Sequence, residues 1–170
     1  MSIIWANVCV SAIKLDGKEN NEHLCLVQDI TEKKVAEAAL AESERSKSVL
    51  LSHLPGMAYR CRYDREWTME FVSEGCYELT GYRPESLLNN KELSFNDIIA
   101  PEYREVLWQQ WANNLHKQQS FKYEYEIITA NGERKWVLEM GQGIYDDSGN
   151  VEALEGIIID ITDRKKYELE

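Results

Sequence analysis

Hydrophobic and polar residues alternate over 57–64, MAYRCRYD, which puts Met57, Tyr59, Cys61 and Tyr63 on one face of a strand. A second short strand, WTMEFVSEG (67–75), follows across a turn at Asp64-Arg65-Glu66. The pattern then becomes helical. CYELTGY (76–82) ends at the breaker Gly81, and PESLL (84–88) opens with a proline suited to a helix start. A further short piece over 95–99 stops before Pro101. Residues 101–117 read as a longer helix, with Val106, Leu107, Trp111 and Leu115 on or near one face. Three strands come last: SFKYEYEIITA (120–130), KWVLEMGQGIYD (135–146) and VEALEGIIIDI (151–161). Asn131-Gly132 and Asp146-Asp147-Ser148-Gly149-Asn150 supply the hairpin turns between them. Two strands before a helical insert and three after it predict an α+β fold. The expected architecture is one five-stranded antiparallel sheet with helices on one face.

The first thirty residues repeat the end of the chain. DITEKK (29–34) returns as DITDRKK (160–166), and at this fixed offset Trp5 falls on Trp136, Ile13 on Ile144 and Asp16 on Asp147. Each copy reads as a hairpin running into a helix, with Asp16-Gly17-Lys18-Glu19-Asn20-Asn21 as the first turn. A lone two-stranded hairpin is marginal in water. Residues 1–30 are therefore expected to be the C-terminal hairpin of a preceding, truncated domain of the same kind, whose exposed strands need a partner. Asp29 and Asp160 end a strand and are candidate helix N-caps, with Glu32 and Asp163 three residues later. Thr31 and Thr162 compete for that role. All four are candidate relay residues, because the phrase couples a sheet edge to a helix start.

Residues 31–52, TEKKVAEAALAESERSKSVLLS, contain neither Gly nor Pro and have strong helix composition. Ala36, Leu40, Ser43, Lys47, Leu50 and Leu54 follow a heptad-like 4-3 spacing with two polar members. The stripe fits either an amphipathic helix lying on its own domain or a parallel dimer seam. Pro55-Gly56 ends the helix.

Composition narrows the function classes. A net charge of −11 argues against nucleic-acid binding, which rests on clustered Lys and Arg. No apolar stretch is long enough to span a membrane, and no basic-headed signal peptide is visible, so a cytoplasmic protein without membrane contact is expected. The four cysteines, Cys9, Cys25, Cys61 and Cys76, form no CxxC pair and read as reduced thiols, mostly core-filling. His23, His53 and His116 sit in three separate segments, and no local catalytic signature surrounds any cysteine. Gly141-x-Gly143 lies in a strand and is no dinucleotide fingerprint.

The combination EFVSEGCYELTGYRPESLL, YEYEIITANGERKWV and the G-x-x-x-DIT-x-x-K ending resembles PAS (Per-Arnt-Sim) domains. The likeness is to the subtype found upstream of histidine kinase or diguanylate cyclase modules. It implies a domain over 53–163, a connecting helix over 31–52 and the start of an outgoing helix over 164–170. It also implies a sensory and dimerisation module: a homodimer through the connecting helix and core, working on an output domain, and not a catalyst. The alternative is a ligand-free scaffold. PAS pockets lie between sheet and helices; Tyr59, Phe71, Leu79, Trp111, Tyr125, Trp136 and Ile158 are the candidate lining. For haem, His116 is the one candidate ligand on the long helix. For covalent flavin chemistry, Arg83-Pro84-Glu85 stands where light-sensing relatives carry Asn-Cys-Arg-Phe. No tightly bound cofactor is expected, and a small-molecule ligand remains open.

Overall fold

The structure, a computed structural model, describes residues 2–13 and 22–169. The first hairpin turn, Asp16–Asn21, lies outside the described residues. The chain divides into two compact units, residues 1–48 and 49–170.

In the first unit, β1 (Ala6–Ile13) and β2 (Glu22–Asp29) pair antiparallel, with Ala6 opposite Asp29 and Ile13 opposite Glu22. No described residue of this hairpin is buried: Val8, Val10, Leu24 and Leu26 all face solvent. Helix α1 (Thr31–Ser52) begins and ends where its composition predicts. None of its residues is buried, and Leu54, the last member of the stripe, lies beyond its end. Two of the four thiols, Cys9 and Cys25, are exposed on the hairpin, so only Cys61 and Cys76 fill a core. The expectation of mostly buried cysteines therefore fails for the hairpin, where none of the described residues is buried.

The second unit holds β3 (Met57–Cys61), β4 (Met69–Val72), α2 (Gly75–Thr80), α3 (Pro84–Leu87), α4 (Phe95–Ile98), α5 (Pro101–His116), β5 (Phe121–Ile128), β6 (Arg134–Tyr145), β7 (Val151–Asp160) and α6 (Thr162–Glu168). Its five strands form one antiparallel sheet in the order β4-β3-β7-β6-β5, so the first and last hairpins meet along β3 and β7. The α+β expectation holds. Local chemistry sets the element ends. Gly81 closes α2 at φ 79°, a left-handed cap that glycine adopts without penalty. Pro84 opens α3, and Ser94 with Asp97 forms a capping box on α4. The Asp64 carboxylate accepts from the N–H groups of Glu66 and Thr68, which turns the chain early and leaves β3 and β4 shorter than their alternating patterns.

Alternation on the sheet builds the core. Phe121, Tyr125 and Ile127 of β5, Val137 of β6, and Leu154 and Ile158 of β7 are buried beneath Leu107, Trp111 and Leu115 of α5. Two glycines allow an especially close approach. Gly141 and Gly156 are paired across β6 and β7. A Cβ on either would come within 2.8 Å of the Tyr59 hydroxyl, and one on Gly141 within 3.0 Å of the Trp111 ring. The sheet is thus thinned at one point to seat two large side chains.

Candidate functional site

A carboxylate lies at that thinned point. Glu139 of β6 is only 6% exposed and is enclosed by aromatic residues. Tyr59 donates its phenol hydrogen to Oε1 at 2.5 Å, and Tyr125 donates to Oε2 at 3.1 Å. The nearby Trp111 indole, like both phenols, favours the carboxyl's charged form. Burial outweighs all three and raises the carboxyl to about 7. The same burial, with the nearby carboxylate, holds both phenols well above their ordinary range.

Next to the carboxyl is a cavity of about 10 Å³, enough for one water-sized occupant. Tyr59, Cys61, Trp67, Met69, Phe95, Ile99, Leu107, Trp111 and Glu139 line it. Trp111 stacks on Phe121 with centroids 4.1 Å apart and meets Trp67 at 6.4 Å, so the aromatic walls brace one another. Of the seven candidate lining residues, Tyr59 and Trp111 line the cavity. Tyr125 reaches its edge through Glu139, while Leu79 and Ile158 are buried in the surrounding core. Phe71 and Trp136 need correction. Phe71 is 42% exposed and pairs with Arg60, and Trp136 is half-buried, packed edge-on to Tyr103 at 6.1 Å. Strand parity places Trp136 on the face opposite Val137 and Glu139. Glu139 itself was not anticipated from the sequence.

The repeated phrase folds into the same joint twice. In the second unit, Trp136 N–H donates to Thr162 Oγ1 at 3.0 Å, and Thr162 N–H donates to Asp160 Oδ1 at 2.9 Å. Ile161 N–H bonds the Trp136 carbonyl at 2.8 Å, and Lys165 N–H bonds the Ile161 carbonyl at 3.0 Å. In the first unit, Trp5 donates to Thr31 Oγ1 at 3.0 Å and Thr31 to Asp29 Oδ1 at 2.9 Å. Ile30 donates to Trp5 at 3.0 Å and Lys34 to Ile30 at 2.9 Å. A lysine lies over each indole, Lys34 at 5.9 Å and Lys165 at 5.0 Å. The capping expectation is corrected in detail. Ile161 is the N-cap of α6; Asp160 instead closes an Asx turn ahead of it, while Thr162 ties the first helical turn back to β6. Lys165 and Arg164 also pair with Glu124 of β5, which binds α6 to a second strand and holds the Glu124 carboxyl below its ordinary range.

The thiols give a direct check on this packing. Burial pushes Cys76 up to about 11 and Cys61 well above its ordinary range, leaving neither with thiolate character at neutral pH. Titration with a disulfide reagent at pH 7.5 should therefore modify two thiols, Cys9 and Cys25, at once and the other two only on unfolding.

A family model described as the PAS fold matches residues 69–158, more than half of the chain, and a second, described as a PAS domain, matches residues 2–32. The chain belongs to the PAS family of sensory signal-transduction modules. It is 29% identical over 98% of its length to the methyl sulfide methyltransferase-associated sensor of Methanosarcina acetivorans, and 26% identical over 96% to a blue-light-activated histidine kinase of Brucella anthropi. It spans only 17% and 34% of these proteins. A solved PAS domain from Colwellia psychrerythraea matches with a TM-score of 0.61 and 19% identity, covering 73% of this chain and 99% of that one. No helix among the described residues is long and apolar enough to cross a membrane.

Proposed function

We propose that residues 53–163 sense a small ligand or a partner's state, and that residues 31–52 and 164–170 carry the response to and from neighbouring modules of a larger signalling protein. Residues 1–30 are read as the closing hairpin of a preceding PAS domain. The module works in the cytoplasm as a homodimer through the connecting helix and the PAS core. It performs no catalysis itself and acts on an output domain such as a histidine kinase or diguanylate cyclase.

The observation that carries this reading is the joint at Asp160 and Thr162, which couples β6 and β7 directly to the first turn of α6. Such a joint converts a change in strand position into a change at the helix. In the parent protein, Asp160→Ala and Thr162→Val are expected to uncouple stimulus from output. The isolated chain should lose about 1 kcal/mol of stability at Thr162→Val, the scale of a lost helix-end hydrogen bond. Unchanged signalling in both variants would sink the relay. The alternative, a scaffold that senses nothing, would be favoured by a native mass spectrum showing dimer at its bare mass together with unchanged signalling.

A further inference from the structure

Glu139 is a buried acid with no ion-pair partner among the described residues. Every element packed against it can be named. From β3 it faces Tyr59 and Cys61, from β5 Tyr125 and its register neighbour Tyr123, and from β7 its register partner Ile158. Trp111 of α5 faces it across the cavity, with Leu107 and Phe95 completing the wall. No Lys, Arg or His is among these groups. A buried carboxylate without a cation is costly, and the least expensive way to neutralise it is to bind a proton.

The geometry gives that proton a consequence. The ionised carboxylate accepts from two phenols, one on each oxygen. A proton taken from solvent onto Oε1 turns that oxygen into a donor. Where that O–H points at Tyr59, the phenol accepts instead of donating, and its own O–H turns toward the cavity that Tyr59 and Glu139 both line. The Tyr59 hydroxyl has little other freedom, being lodged against the Gly141–Gly156 pair. Three residues along β6 from Glu139 is Trp136, whose N–H and carbonyl both hold the joint to α6.

We propose that the Glu139–Tyr59–Tyr125 cluster is a proton-binding site, that the domain's ligand at this position is the proton, and that its binding is reported along β6 to the Trp136–Thr162 joint. This names a stimulus for the sensory reading above and rests on it.

The test is NMR on the full 170-residue chain, carrying 13C at glutamate side-chain carboxyls and 15N throughout, titrated from pH 5 to 9. The Glu139 carboxyl should titrate with a midpoint of about 7, and the Trp136 and Thr162 amide signals should move with the same midpoint. In Glu139→Gln those amide movements should vanish. Tyr125→Phe, which keeps the acid but removes a donor to its charged form, should shift the midpoint upward, and it serves if the glutamine variant does not fold. A midpoint near the ordinary 4.5 would overturn the proposal. So would amides that stay still, or that titrate equally in Glu139→Gln. If Glu139 and the amides titrate as expected while Asp160→Ala and Thr162→Val both leave signalling intact in the parent protein, the proton site stands and the relay reading falls.

Discussion

Replacing Trp111 with alanine costs about 3–5 kcal/mol of folding stability, the range for removing a large buried aromatic side chain. Trp111 is 1% exposed, and its removal would strip several partners at once. Phe121 would lose the ring stacked on it at 4.1 Å, and Trp67 a tilted neighbour at 6.4 Å. The cavity beside the Glu139 carboxyl would lose one of its walls. The existing cavity would grow into a far larger void, which the thinned sheet at Gly141 and Gly156 has no side chains to fill. Urea unfolding at pH 6 would read the loss as a lowered midpoint. A change under 1 kcal/mol would mean that the helix α5 side of the core does not pack as described.

Stability should also fall as pH rises toward neutrality, because of Glu139. In the unfolded chain its carboxyl titrates near 4.5, and in the fold near 7. Between those values the folded protein holds a proton that the unfolded chain has lost, so the contribution is intact below about pH 4.5 and fades as pH climbs to about 7. Above that the full cost is present, about 3 kcal/mol by the equivalence of one pKa unit with ~1.4 kcal/mol. Glutamine mimics the protonated acid. Glu139→Gln should therefore match the natural chain below about pH 4.5, exceed it increasingly up to about pH 7 and keep a constant advantage above that. Other carboxylates, such as Glu102, Glu105 and Asp146, are held low by their hydrogen bonds and act in the opposite direction, but they cancel in this difference. A difference that stays flat with pH would show that Glu139 is neither buried nor raised.

Much of the fold was legible because it depends on short-range chemistry. Gly81, Pro84 and Asn131-Gly132 mark element ends by backbone geometry alone, and α1 was readable to its last residue from composition. Strand β5 was readable as well, because Phe121, Tyr123, Tyr125 and Ile127 share one parity and meet the core together. Strand β6 misled. Its apolar residues Trp136, Leu138 and Met140 share one parity, and Val137, Glu139 and Gly141 the other. A hydrophobicity pattern assigns the first set to the core, yet the second set faces it. A carboxylate and a glycine on a buried face make sense only when Tyr59 and Trp111 are known to stand above them. Those residues lie 80 and 28 positions away, beyond any local pattern. The clue present in the chain was Gly141 sharing parity with Glu139, since a glycine in mid-strand often marks a close approach.

The two joints share four bonds and differ only in where the threonine hydroxyl donates, to Asp29 in one and to the Trp136 carbonyl in the other, although one closes a five-stranded sheet and the other a hairpin. The bonding pattern therefore belongs to the phrase and its tryptophan rather than to the domain behind them. Such a phrase is a seam. Genetic exchange between two domains that share it can fall anywhere within the phrase and still leave the departing helix attached to its strands in the same way. Chains built on such seams can lengthen by duplication, gaining a domain without redesigning the connection to the next.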